Sequence, residues 1–167
     1  IKNLGNQDPK DLARKATVTA SGSVSHSKPE NVIDGFVRDM NGEWRHRWGG
    51  PMADDGAWLQ LAWDTPQRVG HIQLTFDSGF WRPLTLTEET SYRARMHIGV
   101  QPETVKDYTI MVQEPGGRWH EIERVEGNYL RLRRHTFSPV DARAIRIHVT
   151  ATNGNPEARI YEVRCYG

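Results

Sequence analysis

The chain has 167 residues, with 22 Lys and Arg against 21 Asp and Glu and a formal net charge of +1. Such a balance supplies no electrostatic field that would gather nucleic acid. No run of about 18 apolar residues is present, so the sequence offers no membrane span. The single cysteine, Cys165, excludes an internal disulfide and a cysteine-based zinc site. The length suits one domain with a core of its own.

The beginning of the chain has the features of a linker or lead-in segment before the domain. It contains Gly5 and an Asp8-Pro9 pair and has no hydrophobic period. Residues 1–11 are therefore interpreted as a linker and residues 12–167 as the domain. Because the chain has neither an initial methionine nor a signal peptide, we expect it to be part of a longer protein.

The stretch 30–48 (ENVIDGFVRDMNGEWRHRW) combines a turn with several oxygen-bearing side chains. Gly35 can adopt the positive φ angle that a tight turn after Asp34 needs. Asp39 and Asn41 follow within a few residues. Carboxylate and amide oxygens around a turn are typical ligands of a hard cation. The stretch is therefore a candidate metal site.

Most of the remaining chain predicts short strands. Residues 58–63 and 69–76 alternate with a period of two, and the Pro66 turn between them predicts an antiparallel pair. Further strands are predicted at 16–21, 105–113, 119–125, 129–137, 144–150 and 159–166. No amphipathic helix of three turns is apparent. The prediction is an all-β sandwich of about eight antiparallel strands.

Residues 77–102, which we call the excursion, interrupt the series of predicted strands. A connection of this length in a compact domain favours a functional role over a plain link. The excursion carries Phe80, Trp81 and Arg82 near its start and His97 near its end. Large aromatic residues in a long loop indicate a contact surface.

The order of these features resembles the discoidin, or coagulation factor V/VIII type C, domain, including the family 32 carbohydrate-binding modules of bacterial enzymes. The matching segments are 16–21, 32–35, 57–61, 69–74, 105–110 with Gly117 and Trp119, 144–147 and 160–163. Trp48 fits the family's core tryptophan. The resemblance covers roughly 12–167. It implies a galactose-binding-like jelly-roll β-sandwich without catalytic machinery of its own.

The resemblance also implies a structural calcium ion. In the bacterial modules calcium usually lies between the loop after the Asp-Gly turn and a glutamate of the last strand. Asp34 and Glu162 match these two positions. Asp39 or Asn41 would supply further oxygens, and backbone carbonyls near Asn31 would complete the shell.

The residues alone leave another interpretation open. Asp34 would then only cap a turn, and Glu162 would pair with an arginine such as Arg164 or Arg159, without a cation.

The cysteine pattern favours the bacterial branch of the family. Animal members often bracket the domain with a cysteine pair, whereas Cys165 has no partner near the start of this chain. Membership of a bacterial glycan-active enzyme would imply an extracellular or periplasmic location.

In sugar-binding members the site lies on loops at one end of the sandwich, where an aromatic face and polar donors hold the ring. Three loops here carry that chemistry, and the aromatic loop before Trp48 adds two exposed candidates. The candidate ligand-binding residues are His26, Trp44, Arg45, Trp81, Arg82, Asn153 and Asn155.

No Gly-x-Ser-x-Gly elbow, HExxH motif, phosphate loop or dinucleotide fingerprint is present. The prediction is a non-catalytic, calcium-stabilised carbohydrate-binding module of a larger secreted bacterial enzyme. Its partners would be a glycan or polysaccharide and a neighbouring catalytic domain. The alternative is an adhesion or interdomain-docking discoidin domain, which would expose apolar side chains such as Leu84 and Leu86.

Overall fold

The computed structural model describes residues 5–39, 45–82 and 84–167. Within them lie seven strands: β1 (Thr17–Ala20), β2 (Trp48–Pro51), β3 (Ala57–Phe76), β4 (Val105–Gln113), β5 (Trp119–Val125), β6 (Leu132–Thr152) and β7 (Glu157–Tyr166). Short 3₁₀ turns span Leu12–Lys15 and Pro29–Ile33, and one helical turn, α1, spans Thr90–Arg93. Every strand pairing is antiparallel. The predicted all-β, galactose-binding-like sandwich is confirmed.

The long strands β3 and β6 replace two predicted pairs of shorter strands. The predicted antiparallel pairing of 58–63 with 69–76 is wrong, because both segments belong to β3 and both pair with β6. The register shifts between Ala62 and Gln67, so the chain bends there instead of reversing. The first half of β3 lies between β1 and β6, and the second half lies between β7 and β6. The bend thereby carries β3 from one layer of the sandwich to the other.

Strand β2 is not among the strands that the sequence predicts. It pairs with β7, with Trp48 opposite Ile160. The Trp48 side chain is fully buried and donates a hydrogen bond from Nε1 to the Gly22 carbonyl (2.9 Å). A Cβ on Gly50 would lie 2.1 Å from the Trp48 ring, so only glycine fits there. Trp48 is therefore the core tryptophan predicted from the sequence.

The period-two pattern of the strands produces the core. Fully buried residues include Leu59, Leu61, Ile72, Leu74, Ile110, Val112, Ile145 and Ile147. Burial of each such side chain contributes about 1.5–3 kcal/mol to folding. This interior stabilises the sandwich, and the loops are left to carry other chemistry.

Part of the predicted lead-in is attached to the sandwich. The Asn6 amide donates to the Gly35 carbonyl (2.6 Å), and Gly35 has a φ angle of +91°. The buried carboxylate of Asp11 accepts hydrogen bonds from the amides of Ala13 (3.1 Å) and Cys165 (3.0 Å). Cys165 itself is fully buried, and this burial raises the pKa of its thiol, as expected for an unreactive strand residue.

The strand pairings bring several loops to one end of the sandwich, which we call the loop end. Pro51 lies opposite Glu157, Ala57 opposite Val149 and Val105 opposite Thr152. The segments that connect the strands at this end are 52–56, 77–104, 126–131 and 153–156. The excursion therefore lies at this end, beside the turn between β6 and β7.

Candidate functional site

A cleft of about 420 Å³ opens at the loop end. Its walls are formed by Ser78, Gly79, Phe80, Arg82, Leu84, His97 and Gln101, all on the excursion. The two ends of the excursion are tied together here. The Gln101 side-chain amide donates to the carbonyls of His97 (3.0 Å) and Gly99 (3.2 Å), while its oxygen accepts from Arg82 (2.5 Å). Gln101 thus fixes the Arg82 guanidinium relative to the far wall.

Arg82 is paired with a buried carboxylate behind the cleft. Its Nη1 donates to Oε2 of Glu103 (3.1 Å), and its Nη2 donates to Oε1 of the same residue. The Glu103 side chain is only 4% exposed, whereas that of Arg82 is 16% exposed. Burial alone would raise the pKa of Glu103, but the hydrogen bonds and charge of Arg82 outweigh it and lower that pKa. Glu103 therefore remains ionised and holds Arg82 in place.

Two exposed aromatic rings are associated with the cleft: Phe80 forms part of its wall, and Trp81 stacks on the wall residue Arg82. Phe80 is 63% exposed and Trp81 is 55% exposed. The guanidinium carbon of Arg82 lies 4.7 Å from the centre of the Trp81 ring, and that of Arg131 lies 4.6 Å from the centre of the Phe80 ring. Each ring is therefore held by an arginine, and much of its surface faces solvent.

Arg131 anchors the Phe80 side of the cleft to the sandwich. It donates to the Ser78 hydroxyl (3.1 Å) and to the Val37 carbonyl, and it lies 5.3 Å from the centre of the Tyr161 ring. Because these partners come from three separate segments, Arg131 connects the excursion to both β7 and the 30–48 stretch.

The start of the excursion is fixed by Asp77, which is fully buried. One carboxylate oxygen accepts a hydrogen bond from the Gly79 amide (2.9 Å), and the other lies 3.5 Å from Arg159 and 3.8 Å from Arg47. The Asp77 carbonyl accepts from the Thr104 hydroxyl (3.0 Å). The cleft is thus built on a rigid base rather than on a free loop.

The predicted ligand-binding residues are distributed unevenly around this cleft. Arg82 lines it, and Trp81 lies beside it. His26 is exposed, with a φ angle of +63°, in the loop between β1 and β2. Arg45 is exposed, and its amide donates to Asp39. Trp44 lies outside the described residues.

The two predicted asparagines use their side chains to hold loops together. The Asn153 amide group donates to the carbonyls of Thr104 (2.9 Å) and Asn128 (3.0 Å). The Asn155 side-chain oxygen accepts from the Glu157 amide (2.9 Å). The Asn155 backbone amide donates to the Pro102 carbonyl, which brings this turn next to the end of the excursion. Both residues therefore hold the turn 153–156 in place beside the end of the excursion, and a direct ligand contact remains a prediction.

The predicted calcium ligands Asp34 and Glu162 both have protein partners. Asp34 accepts from the Phe36 amide (2.8 Å), as in a turn cap, and from Nδ1 of His46 (2.7 Å). Glu162 accepts from Arg164 (2.7 Å) through Oε2. These are the contacts of the alternative interpretation of the sequence. However, Oε1 of Glu162 is buried and has no hydrogen-bond partner.

The electrostatics connect these carboxylates. Burial raises the pKa of Glu162, and the charges of Asp11 and Asp34 raise it further, whereas Arg164 lowers it. Burial also raises the pKa of Asp34, against the effect of its bond to His46. A cation near Oε1 of Glu162 would relieve both effects.

Asp39 and Asn31 have structural contacts. One Asp39 oxygen accepts from the amides of Arg45 and His46, and the other accepts from Arg47 (3.0 Å) and the Tyr161 hydroxyl (2.7 Å). The Asn31 side chain donates to the Arg47 carbonyl (2.9 Å). Asn41 lies outside the described residues. Within residues 5–39, 45–82 and 84–167, no three His, Cys, Asp or Glu side chains form a group that could hold a metal.

Two family models match the chain, one in each half. A domain of unknown function, DUF7402, matches residues 11–83. The F5/8 type C domain matches residues 88–163. The resemblance to the discoidin family is confirmed. No curated protein sequence matches the chain.

Solved structures of carbohydrate-binding modules share the fold. Chitosan-binding module 2, derived from the chitosanase/glucanase of Paenibacillus sp. IK-5 and solved with chitotriose, has a TM-score of 0.68 at 14% identity and covers 94% of this chain and 100% of its own. The family 32 module from C. perfringens NanJ, solved with galactose, has a TM-score of 0.65 at 19% identity, with coverages of 95% and 98%. A Streptococcus pneumoniae fucose-binding module has a TM-score of 0.65 at 13% identity, with coverages of 96% and 99%.

Sequence reasoning missed the partners of Arg82. Gln101 and Glu103 are ordinary polar residues just before β4, and no local pattern marks them. A glutamate is rarely fully buried unless it is paired, and the pair here joins residues that are 21 positions apart. This cleft therefore depends on a contact that only the folded chain reveals.

Proposed function

We propose that the protein is a non-catalytic carbohydrate-binding module that holds glycan in the cleft at the loop end. The observation that carries this proposal is that two exposed rings lie beside the fixed donors of Arg82: Phe80 lines the same cleft, and Trp81 stacks on the guanidinium. The C–H face of a sugar packs on an aromatic ring, and its hydroxyls accept hydrogen bonds from a guanidinium. Structural relatives solved with chitotriose and galactose support the same class of ligand.

We further propose that the module belongs to a larger secreted bacterial enzyme. The Paenibacillus relative derives from a chitosanase/glucanase, which supports this context. Binding would keep the neighbouring catalytic domain close to its polymer and raise the effective substrate concentration. Glu103 supports a non-catalytic role, because its ion pair with Arg82 leaves it poorly suited to proton transfer. No helix of the described residues is long and apolar enough to cross a membrane.

A glycan array probed with the 167-residue chain tests the binding proposal, followed by titration of the strongest ligand. Phe80→Ala is expected to weaken binding about 10-fold or more, because the stacking face is lost. Leu86→Ala is the matched control, since Leu86 is a fully exposed apolar residue of the same excursion outside the cleft walls. Failure of the well-folded wild-type protein to bind any glycan would contradict the proposal.

Calcium is proposed as a structural ion held by Glu162, Asp34 and nearby main-chain carbonyls. The unpartnered, buried Oε1 of Glu162 fits a cation that prefers oxygen ligands. Asp39 is left out of this set because each of its oxygens already accepts two hydrogen bonds, whereas each oxygen of Asp34 has one partner among the described residues. When bound, the ion would join the last strand to the turn at Asp34 and stabilise the folded state.

Thermal unfolding with calcium or with a chelator tests this part. Calcium at 100 times its dissociation constant should stabilise the fold by about 2.7 kcal/mol. Glu162→Gln should abolish that shift, whereas Glu157→Gln should preserve it. Glu157 is the matched control because it lies on the same strand and also pairs with an arginine, Arg159 (3.0 Å). Identical unfolding curves in calcium and chelator would contradict a calcium site.

A second candidate function is docking on a neighbouring domain or an adhesive surface. The observation that favours it is a set of exposed apolar residues on the excursion: Phe80, Trp81, Leu84, Leu86, Tyr92, Ile98 and Val100. Liposome sedimentation and size-exclusion chromatography test it. Association that is lost in a Leu86→Ser/Ile98→Ser double variant, with no glycan binding in the wild type, would favour docking over sugar recognition.

A further inference from the structure

The cleft has a balanced charge in spite of its arginine. Arg82 is its one wall residue with a permanent charge among the described residues, and Glu103 neutralises it through two hydrogen bonds. The Gln101 oxygen satisfies a further donor of the same guanidinium (2.5 Å). The remaining walls are an aromatic ring, a leucine, a hydroxyl, an imidazole and a glycine. Within the described walls a ligand therefore meets dipoles and apolar surface rather than a net charge. Arg131, which lies 4.6 Å from the centre of the Phe80 ring, is not a wall residue and is held by the Ser78 hydroxyl and the Val37 carbonyl.

The carboxylate of an acidic sugar would gain little net attraction from Arg82, because Glu103 already neutralises its charge, and a full ion pair would require the sugar to displace Glu103. The Glu103 side chain is 4% exposed, so displacing Arg82 would leave a buried carboxylate without its partner. Such an uncompensated buried charge is strongly unfavourable. An amino sugar meets a different obstacle, because the described wall residues include no carboxylate that could pair with an ammonium group.

We propose that the cleft selects uncharged glycans, and that Glu103 sets this selectivity by neutralising Arg82. This inference rests on the proposed carbohydrate-binding function. Glu103 is a positioning residue, because it acts on the ligand through Arg82. Its two bonds also aim the guanidinium, which keeps the remaining donors of Arg82 available for sugar hydroxyls.

The first test uses the wild-type chain and three matched sugars: galactose, galacturonic acid and galactosamine, each also displayed on polymers. Galactose and galacturonic acid are titrated at about pH 8, where ordinary imidazoles are uncharged. Galactosamine is titrated at about pH 6, where its amine is an ammonium group, with galactose at the same pH as the reference. We expect binding of the neutral form only, with less than about a 2-fold change in affinity between about 0.05 and 0.5 M salt. A parallel array of neutral, uronate-bearing and amino-bearing glycans covers sugars other than the galactose series.

The second test is Glu103→Gln, which keeps the shape of the side chain and releases the charge of Arg82. We expect uronate binding to rise about 10-fold or more and to become salt-sensitive. Glu121→Gln is the matched control, because Glu121 also pairs with an arginine, Arg124 (2.5 Å), and lies outside the cleft walls. It should leave the selectivity unchanged. Should Glu103→Gln fail to fold, the wild-type comparison still decides the proposal.

The outcomes separate this inference from the function on which it rests. Neutral, salt-insensitive binding together with a gain of uronate affinity in Glu103→Gln supports it. Wild-type preference for uronates or amino sugars, weakened by salt, would overturn the neutral selectivity and leave glycan binding intact. No binding to any glycan would overturn the proposed function itself.

Discussion

Two regions of the molecule combine arginine with aromatic rings, and they use the combination differently. On the face of the sheet, the Arg146 guanidinium lies 4.5 Å from the centre of the Trp58 ring and 4.7 Å from that of Trp119. Both rings are only partly exposed. At the loop end, Trp81 and Phe80 also contact arginines but are 55% and 63% exposed. The same chemistry stabilises the framework in one region and remains available to a ligand in the other.

The strand register explains the difference. Arg146 lies opposite Gln60 on β3, and the Gln60 oxygen accepts two of its hydrogen bonds, at 2.7 and 3.1 Å. Strand pairing thus brings Trp58, Arg146 and Trp119 together from three strands. No strand ladder crosses the described part of the excursion, so its aromatic rings have fewer neighbours to cover them. Exposure, rather than residue type, distinguishes the proposed binding region from the sheet face.

The largest expected effect concerns a buried group of the framework. His135 is 4% exposed, and the Tyr108 hydroxyl lies 3.0 Å from its Nε2. Burial, assisted by the charge of Arg133, lowers the pKa of His135 to about 4. The unfolded chain binds the proton first, so stability that is present above about pH 6.5 is lost as the pH falls towards 4. The shift corresponds to about 3 kcal/mol.

Urea unfolding of the wild type and His135→Gln across this pH range measures that contribution. The stability difference between the two proteins should shrink or reverse as the pH falls. Tyr108→Phe keeps the imidazole buried and should retain the acid sensitivity of the wild type. Parallel pH profiles for wild type and His135→Gln would contradict this account.

The next effect concerns the sheet-face stack. Arg146→Ala removes two ring contacts and two hydrogen bonds to Gln60, so the free energy of unfolding should fall by about 2 kcal/mol. Glycan affinity should stay within about 2-fold, because Arg146 does not line the cleft. Denaturation and titration of the same preparation test both statements. A large loss of affinity without loss of stability would move the binding site to the sheet face.

A reciprocal pair of tryptophan variants compares the two regions directly. Trp81→Ala should weaken glycan binding about 10-fold and change the free energy of unfolding by less than about 0.5 kcal/mol. Trp58→Ala should do the opposite, with a stability loss of about 2 kcal/mol and unchanged affinity. The comparison fails if both variants lose stability equally, because Trp81 would then be a packing residue.

The smallest effect is expected at an exposed ion pair. Arg68 and Asp141 are 3.2 Å apart, with side chains 64% and 60% exposed. Arg68→Ala should change stability by less than about 0.5 kcal/mol, since solvent screens such pairs. This variant measures the background against which the other changes are judged. A loss of more than about 1 kcal/mol in the free energy of unfolding would indicate that the bend in β3 depends on this ion pair with β6.

The sequence by itself determined the class of the fold. Alternating residues such as Leu59 and Leu61 must face one side of a strand, so the period of two predicts half-buried strands without knowledge of their partners. The buried Trp48 and the discoidin resemblance could be recognised in the same way, because they depend on local pattern and order. The long excursion was also visible as a gap in the series of predicted strands.

Only the tertiary structure decided how these elements meet. Whether the chain reverses or continues at Pro66 depends on the pairing partner, β6, and not on the turn residues alone. Two contacts likewise join residues that are far apart in sequence: the ion pair of Arg82 with Glu103 and the stacking of Arg146 on Trp58. The absence of a hydrogen-bond partner for Oε1 of Glu162 is also visible only in the folded chain. Local pattern reports which side of an element is apolar. Burial and the charge partner of a polar side chain are set by neighbours that folding brings together.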